Sequence, residues 1–340
     1  MLRRGAFLAL TLCLAACGDR TAHAPFTDSR LPPGLSPKDW PPHNWAWGLI
    51  QTDDGPAQRY GVAAAPTVPR AQVLILPGYG DFAETHFAEA SALIDHGETV
   101  WVLDGAGQGG SARSVEPRDL GHVTSFDADE RALAAMVHQV VRPPSDGPFI
   151  VVAEGTAAPV FLRALQLGQV RVDGAILIDP ALETPASPDL DQANLANRFG
   201  LGGFRAPGGA DWTRNDQLTD PDQARRMAWQ IANPDLRMGG PSLGWQAAFS
   251  ELVQAVHASA WSKVTAPVLL LANSARAADA DRLCRALPHC RRGRLDAVHG
   301  RAPAEADFIQ SLMGPSALPP WTRPAPVDDP GPGAVFDVPR

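Results

Sequence analysis

Phe149-Ile150-Val151-Val152-Ala153-Glu154-Gly155-Thr156-Ala157-Ala158-Pro159-Val160 is the stretch whose reading decides the architecture. Its first four residues are continuously apolar, as a parallel strand buried on both faces requires. Ala153, Gly155, Ala157 and Ala158 then supply the small side chains that a sharp strand-to-helix turn demands. The small-x-nucleophile-x-small spacing of a nucleophile elbow falls on Ala153, Glu154, Gly155, Thr156 and Ala157, since bulk two positions either side of the apex would collide across the turn. The apex is therefore Gly155, which has no side chain to attack with.

Outward from this elbow, apolar strands alternate with helical segments. Strands are predicted at 71–77, 98–103 and 174–178, and helices at 82–96, 127–141 and 156–167. Such alternation implies a mostly parallel sheet with helices on both faces and right-handed crossovers. Before it, 44–52 and 57–64 form an antiparallel hairpin across the turn cluster Asp53-Asp54-Gly55-Pro56. The alternation stops over 181–262, a Gly-, Pro-, Asp- and Trp-rich insertion with helical pieces at 222–231 and 245–261. It is expected to lie over the C-terminal edge of the sheet as a lid. The pattern then resumes with a strand at 266–273, a helix at 278–287, a strand at 292–298 and a helix at 304–313.

The two ends differ in kind from this domain. Residues 1–16 join Arg3 and Arg4 to a short apolar run ending in small residues, the plan of a secretion signal and too short to span a bilayer. Leu14-Ala15-Ala16-Cys17 is similar to a bacterial lipobox, which implies cleavage before Cys17 and lipidation of its thiol. Gly18 in place of an acidic residue favours the outer membrane, on the periplasmic side, by the same resemblance. Residues 17–43 hold six prolines and read as a tether, and 314–340 as a proline-rich tail with no core of its own. The formal charge of −8 makes nucleic acid an unsuitable partner and leaves membrane attachment to the lipid. Cys284 and Cys290 are the cysteines left in the exported chain, so a disulfide and two buried thiols are both open. No His or Cys spacing suggests a metal site, and no cofactor is expected.

Three stretches carry a resemblance: LPGYGDFAETHFAEASALIDHGETVWVLDGAGQGGSAR at 76–113, GHVTSFDADERAL at 121–133, and NDQLTDPDQARRMAWQIANPDLRMGGPSLGWQAAF at 215–249. Asp104 to Arg113 is similar to the pattern DxRGQGxSxR, and Pro234 to Trp245 to PxxRMGGPSxGW. Over 44–313 the chain resembles the lysophospholipase and monoacylglycerol lipase branch of the α/β-hydrolases. That resemblance implies an α/β-hydrolase fold with a helical lid, and cleavage of carboxylic esters of monoacyl lipids by a Ser, Asp and His triad without a cofactor. The family's G-H-S-M-G-G lies on Ala153 to Ala158, which places Gly155 at the nucleophile. Its acid follows the strand read at 267–272, where Asn273-Ser274-Ala275-Arg276 offers no carboxylate. Its base aligns with Gly300, and His299 stands one residue early. The oxyanion amides fall at Gly78-Tyr79 and at Thr156.

Four side chains could carry a re-sited chemistry. Thr156 offers a hydroxyl beside the apex or a helix cap, and His299 a base or an ordinary surface imidazole. Glu154 and Asp179 end neighbouring strands, as a carboxylate pair in the cleft or as structural acceptors. Trp212, Trp229, Trp245 and Trp261 line an acyl pocket or pack the lid. The expectation is a lipid-anchored envelope protein that binds an acyl lipid, a small ester ligand or an unknown protein partner in the old cleft without hydrolysing it. The alternatives are a re-sited ester hydrolase and a purely structural envelope component.

Overall fold

The protein is described by a computed structural model that covers residues 23–313 apart from 54, 66, 146, 184–193, 196 and 296–300. The hairpin of β1 (Ala46–Ile50) and β2 (Gln58–Ala63) leads into β3 (Gln72–Leu76), α1 (Phe87–Asp95), β4 (Thr99–Leu103) and α2 (Asp127–Ala135). The elbow strand β5 (Phe149–Glu154), α3 (Ala157–Gln166) and β6 (Gly174–Ile178) follow. The insertion contributes α4 (Pro221–Ala232) and α5 (Leu243–Ala258). The chain closes with β7 (Val268–Ala272), α6 (Ala277–Ala286), β8 (Cys290–Arg294) and α7 (Ala302–Leu312).

One eight-stranded sheet has the order β1-β2-β4-β3-β5-β6-β7-β8. Only the β1–β2 and β2–β4 pairings are antiparallel. The continuous apolar strands follow from double coverage: Leu74, Val151, Leu177 and Leu270 face α2, α3, α5 and α6, while their neighbours Ile75, Val152, Ile178 and Leu271 face α1 and α7. The sequence-derived fold class holds.

Three expectations need correction. Residues 23–43, read as part of a free tether, are docked. His23 exchanges backbone hydrogen bonds with Arg113, the Phe26 amide donates to the Gly110 carbonyl, and Phe26 and Leu35 pack beside Phe82, Phe87 and Trp229. Proline excludes regular structure here, yet it leaves isolated apolar side chains free to seat in grooves. The strand placed at 292–298 lies at Cys290–Arg294. It is an edge strand of Arg291, Arg292, Gly293 and Arg294, aligned by the backbone ladder of β7 rather than by an apolar pattern. The helix at 127–141 stays α-helical only to Ala135 and continues as a π-turn over Met136–Val141, ending at Arg142 with φ +47°. Cys284 in α6 is disulfide-bonded to Cys290 in β8, with their Cα atoms 5.3 Å apart. The leader, Cys17 and the tail after 313 lie outside the described residues.

Candidate functional site

The elbow survives as backbone. Gly155 has φ +48°, and its amide donates to the Ile178 carbonyl at 2.9 Å while its own carbonyl accepts from Ala181 at 2.9 Å. A Cβ added at Gly155 would meet only the Gly78 Cα, 3.9 Å away, so the apex has room for a side chain and simply lacks one. Gly78 is needed for closeness: a Cβ there would stand 3.2 Å from the Glu154 carbonyl oxygen.

Thr156 neither caps α3 nor stands free. Its Oγ1 accepts the Tyr79 amide at 2.8 Å. That amide is the one the resemblance assigns to an oxyanion, so the protein's own hydroxyl occupies the position where a developing negative charge would be held. Tyr79 is pinned further, its Oη donating to the Gly239 carbonyl at 3.0 Å and its ring edge-on to Trp245 at 4.9 Å. Burial raises the Tyr79 phenol far above its usual range.

The other candidates are engaged elsewhere. Asp179, at φ +43°, accepts the Asn273 amide at 2.8 Å and its Nδ2 at 2.9 Å, tying the end of β6 to the end of β7. Asn273, which the resemblance puts at the acid position, spends its own side-chain oxygen on the Arg276 amide. Glu154 and Asp179 therefore serve separate partners, and no contact among the described residues joins them as a dyad. His299 and Gly300 lie outside the described residues.

What the sequence did not reveal is the company of Glu154. Arg301 bridges it to Glu89, while His86 lies 3.0 Å from Glu89 and 3.6 Å from Glu154. Asp81, in the loop after Tyr79, accepts from Arg226 of α4 at 3.1 Å. Burial would lower the His86 pKa, but Glu154, Glu89 and Asp81 outweigh it and raise it to about 9. Burial is likewise outweighed at Asp81 by His86 and Arg226, and at Glu89 by Arg301 and His86, so both carboxyls are held below their usual range. Glu305, 3.4 Å from Arg301, is pushed up to about 8 by burial and by the Glu89 charge. One donor atom each of Asp81, His86 and Glu154 lies within 4.8 Å of the others, a spacing a metal ion could use. Those carboxylates already hold Arg226 and Arg301, however, and a charged imidazole is no metal ligand. The cluster is an ion-pair network knitting the lid, the Tyr79 loop, the elbow and α7. Its members come from five separate segments, and no local pattern announces them.

Among the lid tryptophans, Trp212 and Trp261 border cavities and the others pack. Trp229 is buried against Phe87, Trp245 stacks on Phe249, and Trp212 sits under the Arg237 guanidinium. Between the lid and the Tyr79 loop remains a cleft of about 820 Å³, bordered by Tyr79, Arg226, Met227, Met238 and Gln246. Asp104 is architectural: it accepts from Arg59, which also forks onto Glu84, and from the Gly110 and Ala83 amides.

Comparison with known proteins agrees with this fold. The profile of the family described as serine aminopeptidase, S33, matches residues 67–303. Among solved structures, the monoacylglycerol lipase of Paleococcus ferrophilus is similar over 74% of this chain and 98% of its own, at 17% identity and a TM-score of 0.57. A soluble variant of the monoglyceride lipase of Saccharomyces cerevisiae, solved with a substrate analogue, is similar over 82% and 98%, at 16% identity and a TM-score of 0.57. A thermophilic esterase of Thermogutta terrifontis, with malate bound, gives 79% and 99%, 15% and 0.55. At these identities the likeness concerns the fold. No curated protein sequence matches significantly.

Proposed function

Because the chain belongs to the serine aminopeptidase S33 family and has the α/β-hydrolase fold, we propose that it is a lipase relative that has given up ester hydrolysis and binds an acyl lipid or small ester in the inherited cleft. The observation that carries this reading is the Thr156 hydroxyl seated on the Tyr79 amide beside a side-chain-free apex. Loss of a triad nucleophile alone typically costs about 10⁶ in kcat. Here the family's acid position holds Asn273, bonded to Asp179, and the oxyanion position is filled as well. The retained cleft and the pinned Tyr79 loop support binding as what remains. The lipobox-like Cys17 supports an envelope address for this binding, held by a lipid rather than by charge.

The purified full chain is assayed on short acyl esters, monoacylglycerol and lysophospholipid beside a Glu154→Ala, Thr156→Ala, His299→Ala triple variant. We expect no turnover above the triple variant and a rise in Tm with monoacylglycerol. Turnover that the triple variant abolishes would establish a re-sited enzyme instead. Metabolic labelling with palmitate tests the anchor: label retained by Cys17→Ala would remove it.

A further inference from the structure

Beneath the elbow, between the start of β2, the C-terminal ends of β3 and β4 and the helices α2 and α3, lies a second and smaller cavity of about 40 Å³. Its wall is apolar except at a few points. Gln58 and Asp129 are both buried, at 1% and 8% exposure, and both border it. Gln58 directs one N–H of Nε2 at Asp129 Oδ1, 3.4 Å away. Asp129 Oδ1 also takes the Ala106 amide at 2.8 Å. Gln58 Oε1 and Asp129 Oδ2 have no hydrogen-bond partner. Thr156, which borders the same cavity, has given one lone pair of its hydroxyl to Tyr79 and has a second. Phe126 supplies an aromatic wall.

Two of the cavity's acceptors have no donor, although the Thr156 O–H and the side-chain amide of Gln108, whose Oε1 takes the Gly80 amide at 2.9 Å, also border it. The cavity also holds a charge without a counter-charge, because no cationic side chain among the described residues is paired with Asp129. Burial pushes its carboxyl up to about 6, and the charges that hold Asp81 and Glu89 down have no equivalent here. Buried carboxylates are ordinarily paired. A water could satisfy the two acceptors but not the charge. A hard metal ion asks for about six oxygen ligands, more than these side chains supply. A primary ammonium has three donors and one positive charge, matching three oxygen acceptors of which one belongs to a carboxylate.

We propose that this cavity is a subsite for a primary ammonium group, carried by a small amine or by the amino head of a ligand reaching in past Thr156. The inference does not depend on the absence of turnover, since it is read from binding alone; hydrolysis by the wild type would overturn the non-hydrolytic function and leave the ammonium subsite standing.

The test is calorimetric titration of the full chain with methylammonium chloride, against tetramethylammonium chloride, sodium chloride and methanol at matched concentration. Saturable binding of methylammonium and of none of the other three is the expected result, with Asp129→Asn weakening it about tenfold or more, as loss of a charged hydrogen-bond partner does. Should Asp129→Asn fail to fold, Gln58→Met, which removes the free carbonyl, is expected to weaken binding too. Absence of saturable methylammonium binding overturns the proposal, as does equal binding of tetramethylammonium, sodium or methanol, or an Asp129→Asn variant of unchanged affinity. A longer primary amine bound more tightly than methylammonium would identify a ligand head rather than a free amine as the source.

Discussion

Gly155 is the residue on which the reading turns. It holds the φ of +48° that an elbow apex needs, and its surroundings would accommodate a Cβ. Gly155→Ser is therefore expected to fold, at a cost of about 1–2 kcal/mol for placing an L side chain in the left-handed region. Chemical denaturation measures that cost, and an ester assay on the same sample should stay at background, because the serine would meet a filled oxyanion amide and an acid position held by Asn273. Turnover restored by this one change would mean that a working acid and base had been overlooked. Gly155 was legible from the elbow spacing, and Asn273 from the family resemblance. The Thr156 contact was not, since its partner lies 77 residues away and only sheet pairing brings β3 beside β5.

At the scale of elements, strands with continuous apolar runs were placed well, and segments held by single contacts were not. β5 and β6 lie where Val-, Ile- and Leu-rich runs predicted them, because both their faces are covered. β8 was misplaced because an arginine-rich edge strand carries no such signature, and the segment at 23–43 because its contacts are isolated apolar side chains without a period. The edge is tied down covalently instead, by Cys284–Cys290, which closes a short loop between α6 and β8. A Cys284→Ser, Cys290→Ser variant is expected to lose about 2 kcal/mol on chain-entropy grounds. Calorimetry should register a drop in Tm of several degrees, with the same drop in the wild type under reductant. An unchanged Tm would show that the link contributes nothing to the edge.

At the scale of the whole molecule, pH dependence follows from buried charge. His86 is raised to about 9 and Glu305 to about 8, so the folded state holds protons that the unfolded chain releases earlier. Their stabilisation is complete below the unfolded values, near 4.5 for the carboxyl and 6.5 for the imidazole, and is lost as pH rises through about 8 and 9. Asp129, raised to about 6, acts in the same direction. Asp81 and Glu89 are lowered, so their contribution is present above the unfolded carboxylate values and is lost in acid. Thermal stability should therefore peak near pH 5 and fall towards pH 9. Glu305→Gln should flatten the alkaline side, and a Tm rising from pH 6 to pH 9 would contradict the network.

The sequence by itself determined the architecture and the glycine at the elbow apex, because both are local: strand periodicity, the spacing of small residues about Gly155, and turn chemistry are written in neighbouring positions. Only the tertiary structure decided what surrounds that apex. The Thr156 plug, the Glu154–Arg301–Glu89–His86 network and the unpaired Asp129 each depend on side chains brought from distant segments to one sheet edge. Burial there turns ordinary polar residues into a closed ion network on one side of the elbow and an unanswered carboxylate on the other, and burial is a property no single stretch of sequence possesses.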